Sequence, residues 1–165
     1  MREDGFTLIE VLVTMAIIAI LASVAMPLSK ISTKRAQEIE LRQHLRTIRS
    51  AIDVFKLEWN RDGDVLLGTV CIKNRLTCKE VTGPYGYPKS LDALLGVKLT
   101  GQEATVRGST VKRYLRAMPI DPLTGKSDWA LRCYKDGPKP SSEDVYDVMT
   151  QNEESALDGT KYQDW

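Results

Sequence analysis

The residue whose placement most demands a chemical explanation is Glu10. It is the single charge in the run from Phe6 to Leu28, FTLIEVLVTMAIIAILASVAMPL. As a helix rising 1.5 Å per residue this run covers roughly 34 Å, enough for a hydrocarbon core of about 30 Å. A carboxylate inside a spanning segment costs on the order of 3 kcal/mol on insertion scales, which makes it a candidate functional group. The competing account is local. An acid in the first turn of a helix is favoured by the macrodipole by about 0.3–1 kcal/mol, and a position near the interface lowers the cost of burial. Glu3 and Asp4 could supply that dipole term without burying a charge, so function is the favoured reading.

Other chemistry-bearing residues are few. Cys71 and Cys78 are a candidate disulfide that would staple a small hairpin, with Cys133 left over or taking one of the two; all three reduced and buried is the alternative. The single histidine, His44, lies in a helical stretch where a surface role is the default, and three scattered cysteines do not give zinc spacing. Asn60-Arg61-Asp62-Gly63-Asp64 has the opening spacing of a calcium loop, but the twelfth position is Cys71 rather than Glu and the glycine comes early, so a turn is expected. Nucleophile, metal and phosphate-loop motifs give no support to an enzyme. The net charge of +1, from 23 basic and 22 acidic residues, provides no global field for nucleic acid.

These residues need elements to position them. The apolar run is longer than the 7–15 residues or so of a secretory signal, and it lacks the polar stripe of a soluble core helix. Pro27 should kink or loosen the helix near its end. Beyond it Ile31, Ile39, Leu45, Ile48, Ile52, Phe55 and Trp59 recur at helical steps, with Lys34, Arg35, Glu38, Arg42, Arg46, Arg49 and Lys56 expected on a solvated face. One helix from Phe6 to about Glu58 would approach 80 Å. Val65–Val81 holds short β-branched stretches. A short helix is expected at Ser90–Gly96, with Ser90 as N-cap and Gly96 as stop. Strands are expected at Trp129–Tyr134 and Asp144–Met149, forming a small antiparallel sheet laid on the long helix. The predicted class is therefore α+β, with a helix that is transmembrane in its first half packed against a small antiparallel sheet. Its parts are a leader (1–5), a membrane and polymerisation half of the helix (6–28), an amphipathic half (29–59) and a globular head (60–165).

Gly5-Phe6-Thr7-Leu8-Ile9-Glu10 resembles the processing site of type IV pilins and type II secretion pseudopilins. The resemblance implies a membrane aspartyl peptidase that cuts after Gly5 and methylates the new amino terminus on Phe6; a glycine there lets the backbone lie close in a protease groove. It also gives Glu10 a role, facing the positive amino terminus of Phe6 in a neighbouring subunit. The tyrosine-proline start before the short helix, the stretch YLRAMPIDPLTG, the Trp129 strand and the strand DVYDV are similar, in the same order, to the protein G pseudopilins of type II secretion. This implies an inner-membrane, single-pass subunit with its head in the periplasm. Its expected partners are its own copies, minor pilin-like subunits, the prepilin peptidase, an assembly platform with its ATPase, and the bilayer. The alternative is a minor type IV pilin for adhesion, motility or DNA uptake.

Several features depart from the family. Lys30, Lys34 and Arg35 follow the apolar run while the leader holds Arg2 against Glu3 and Asp4, a bias that by charge alone would keep the head in the cytoplasm. The segment Val65–Pro84 with its cysteines is extra, and residues 97–113 are expected as a long exposed loop. The family often holds calcium in a loop after the last strand. Here Glu154 and Asp158 are the candidate ligands, with a solvated acidic loop as the other reading.

Overall fold

In the computed structural model, residues 7–100, 104, 108, 110–134 and 143–165 are described. Gly5 and Phe6, the expected processing site, lie outside them. The chain divides into two compact units, Met1–Ile39 and Glu40–Trp165.

Helix α1, Leu8–Trp59, begins at Thr7, whose carbonyl accepts from the Glu10 and Val11 amides at 3.1 and 3.2 Å. Within the first unit the described side chains of the apolar run are exposed, from Leu8 to Leu28. Its hydroxyl groups bond back to their own helix: Thr14 to the Val11 carbonyl at 2.9 Å and Ser23 to that of Ile20 at 2.7 Å. No donor of theirs is therefore left to be satisfied by solvent. The helix runs on through Pro27, whose ring nitrogen removes the rung that would have reached the Ser23 carbonyl.

In the second unit α1 becomes one-sided. Leu41, Leu45, Ile48, Ile52, Phe55 and Trp59 are buried, a stripe at three- and four-residue steps. The stripe was expected to start at Ile31, but Ile31 and Ile39 are exposed and Leu41 opens the buried face. Trp59 donates through Nε1 to the Tyr114 hydroxyl at 2.7 Å, and Phe55 stacks on the Trp59 ring at 5.7 Å and meets the Tyr114 ring edge-on at 5.3 Å.

Around this stripe lie three two-stranded antiparallel ladders: β1 (Arg61–Asp62) with β2 (Val65–Leu66), β3 (Val97–Lys98) with β4 (Val111–Lys112), and β5 (Ala130–Cys133) with β6 (Val145–Met149). The last is the expected sheet; its Ala130 pairs Met149, and Val148 enters the helix core. The fold is α+β and pilin-like.

Three local expectations change. Val65–Val81 forms only the short β2 and then two helices, α2 (Thr69–Lys73) and α3 (Arg75–Val81). The disulfide Cys71–Cys78 joins those helices rather than a hairpin. Val70, Cys71, Asn74, Thr77 and Cys78 are buried at helical spacing, and the buried Asn74 is satisfied by donating to the Val70 carbonyl and accepting from the Thr100 amide. Helix α4 (Asp92–Leu95) is capped at Leu91 without a side-chain bond, so the Ser90 hydroxyl is not its cap. The segment 97–113 is anchored at both ends by β3 and β4, and its Val97 and Leu99 are buried.

Candidate functional site

Glu10 occupies the first turn of α1, where its charge faces the positive end of the helix dipole. Its amide is tied to Thr7, and its side chain is exposed among Leu8, Ile9, Val11 and Leu12, which are exposed as well. Among the described residues it has no cation within ion-pair distance.

The second unit carries a polar cluster that sequence reasoning placed in solvent. Arg49 is not on a solvated face. Its Nε donates to Asp147 Oδ1 at 2.6 Å, and Nη2 donates to the main-chain oxygens of Val148 at 3.0 Å and Trp165 at 2.5 Å. One guanidinium thus ties α1 to β6 and to the last residues of the chain. Asp147 is shared with Arg132, 3.7 Å away.

Arg42, two helical turns earlier, lies 3.9 Å above the Trp165 ring and 3.5 Å from the Asp158 carboxylate. Asp158 Oδ1 accepts from the Thr160 hydroxyl at 2.6 Å and its amide at 2.9 Å, and the Trp165 indole donates to the same hydroxyl at 2.7 Å. Gly159 makes the tight turn with φ +86°, a conformation that a residue with a Cβ rarely adopts. The Thr160 hydroxyl bond, then the Thr160 amide and Arg42, hold the Asp158 carboxyl below its ordinary value.

This geometry does not fit a calcium ion at Glu154 and Asp158. Calcium takes six to eight oxygens, yet Asp158 turns its oxygens to Thr160 and Arg42, so a cation of the chain already stands against it. The Glu154 side chain is exposed, and its backbone is used by Asn152 and Tyr162. Among the described residues no three His, Cys, Asp or Glu side chains converge.

His44 is a tether rather than a surface group. Its Nδ1 donates to the Ile120 carbonyl at 2.8 Å, fixing the Tyr114–Gly125 segment to α1. The same segment is held from the other side by the buried Asp121, which accepts from the Leu123 amide and from the Thr150 hydroxyl.

An apolar helix with a lone acid in its first turn, followed by a small head of antiparallel strands, defines a pilin-like protein. Residues 1–26 match the model of the prokaryotic N-terminal methylation motif. The chain is also similar to the type II secretion system core protein G of Aeromonas hydrophila, with 31% identity over 93 residues, 54% of this chain. The match covers 65% of that relative, just under two thirds of its length. No solved structure matches the chain. Among the described residues, α1 is the one helix long and apolar enough to cross a membrane, with a mean hydropathy of 2.6 over its most apolar window and none of that window buried.

Proposed function

We propose that the chain is a structural subunit of a type II secretion pseudopilus. It is anchored in the inner membrane by the first half of α1, with its head in the periplasm, and polymerises into a fibre that helps drive protein export across the outer membrane. The observation that carries this reading is Glu10: a lone carboxylate in the first turn of an exposed apolar helix, five residues after the glycine of a methylation motif.

Removal of the leader after Gly5 by a prepilin peptidase would expose the amine of Phe6. A positively charged terminus of one copy and Glu10 of the next would neutralise each other inside the bilayer or fibre core, turning an expensive lone charge into a register mark. Copies of the chain, minor pilin-like subunits, an assembly platform with its ATPase, and lipid are the partners this mechanism needs. Its work is mechanical, so no catalytic residue is assigned. The similarity to a secretion-system core protein favours this reading over a minor type IV pilin.

The test is Glu10→Leu in the full chain. Insertion and processing should proceed, the latter seen as loss of the leader by mass spectrometry, while the variant is missing from isolated fibres. Fibre entry at the level of the unchanged chain would refute the role of Glu10.

A further inference from the structure

A cleft of about 290 Å³ lies in the second unit between α1 and the last residues of the chain. Arg42, Arg46 and Arg49 line it with Leu45, Asp158, Thr160 and Trp165. Two of its three arginines are committed, Arg42 to Asp158 and Trp165, Arg49 to Asp147 and two main-chain oxygens. Arg46 is exposed and has no anionic partner among the described residues. The cleft therefore presents one uncommitted guanidinium, backed by two positioned ones, over an aromatic wall. Such a site fits a carboxylate.

The same unit presents a fixed acidic projection at the far end of its helix. Asp62 and Asp64 flank Gly63 at the β1–β2 turn, where Gly63 adopts φ +58° and donates its amide to the Pro84 carbonyl at 3.1 Å. Arg61 anchors the base of the turn by donating to the Thr82 carbonyl. Asp62 is exposed and without an ion-pair partner among the described residues. Asp64 is 98% exposed, with Arg61 only at 3.9 Å. Roughly 20 Å of helix separate Arg46 from Trp59, next to this turn.

We infer that the Asp62–Asp64 turn of one copy docks into the arginine cleft of another copy about 20 Å along the same fibre, beyond the neighbour whose amino terminus Glu10 faces. This rests on the fibre reading above and names the head contact within it. Symmetry decides between this turn and the other exposed acidic pair of the unit. Glu153 and Glu154 are also exposed, but they lie in the loop that carries Asp158 and Thr160, beside the cleft itself; pairing through them would be self-complementary and would close as a dimer. A cleft and a projection at opposite ends of one helix segment pair heterologously, which leaves each added copy with an open end.

The test uses the full chain in membranes with its assembly machinery. Variants are Arg46→Glu, the pair Asp62→Arg with Asp64→Arg, and all three together. Each reversal should lower the yield of isolated fibre about fivefold or more, and the reciprocal combination should restore it to within about twofold. A second readout is independent of charge: Arg46→Cys with Asp64→Cys, in a Cys133→Ser background, should give disulfide-linked ladders of the chain when an oxidant is added. Glu10-dependent fibres that tolerate the reversals and give no ladder would overturn this contact and leave the fibre reading standing. Absence of Glu10-dependent fibres from the unchanged chain would refute both.

Discussion

Replacing Arg49 by methionine tests whether the head is held together by this one guanidinium. The substitution keeps an unbranched aliphatic stem but removes the bonds to Asp147, Val148 and Trp165. A charge-assisted bond contributes about 1.5–3 kcal/mol and a bond to a carbonyl about 1 kcal/mol in net terms. The side chain of Arg49 is 33% exposed and that of Asp147 18%, so water compensates part of the loss, and Arg132 still faces Asp147. A net cost of about 2 kcal/mol follows. The unfolding entropy of a unit the size of Glu40–Trp165 is about 0.27 kcal/mol/K, so Tm should fall by about 7 °C. Tryptophan fluorescence of the detergent-solubilised chain reads the transition, because Trp59 and Trp129 are buried in this unit. Arg49→Lys should fall between, since a point charge cannot reach Asp147 and both carbonyls as the planar fork does. A loss under about 1 °C for the methionine variant would show that β6 and the last residues are held by apolar packing alone.

Further expectations concern the same unit. Removing the disulfide as Cys71→Ala with Cys78→Ala should cost about 2.5 kcal/mol from the loop entropy of a short closure, or roughly 9 °C in Tm; an unchanged melt would mean that α2 and α3 are fixed without it. Asp158 has a folded pKa below its ordinary one, so its contribution is fully present above the ordinary aspartate range and disappears as pH falls through the depressed value. The stability curves of the chain and of Asp158→Asn should therefore be separated at neutral pH and converge in acid; parallel curves would contradict the assignment. Because Arg42 faces that carboxylate, neither a chelator nor millimolar calcium should move the melt, and a calcium-dependent rise in Tm would show that the cation site exists after all.

How much of this was legible in the sequence depends on how local the determining physics is. The apolar run, Glu10 and the amphipathic continuation of the helix are patterns of one element, and they read directly. The ladder Ala130–Cys133 with Val145–Met149 also followed from β-branched and aromatic stretches between turn signals. The helices α2 and α3 did not, because two of the five positions that define their buried face, Asn74 and Thr77, are polar and become buried only by bonding to Val70 and Thr100. The solvated face assigned to this helix holds at Arg42, which is exposed, but failed at Arg49 for a related reason. A charge pattern on a helix says which side is polar, but the groups that meet it, Asp147 and Asp158 and Trp165, lie about a hundred residues away in sequence. One local signal was available there: Asp158-Gly159-Thr160 is a turn sequence whose side chains bond each other.

The exposure of the apolar half of α1 bears on why Glu10 sits where it does. Every described side chain from Leu8 to Leu28 is open on all sides of the helix, with no stripe to select a partner. Moving such a surface from lipid to contact with other copies brings little hydrophobic gain, since acyl chains are as apolar as leucine. Packing alone would then leave neighbouring helices free to slide or rotate past each other at small cost. A polar pair is different: displaced from its partner by one turn, about 5.4 Å, it leaves a carboxylate unpaired in an apolar medium. In the proposed fibre the lone acid is thus the feature of this helix that would make one axial register much better than the next, with its first-turn position matched to a neighbour's amino terminus.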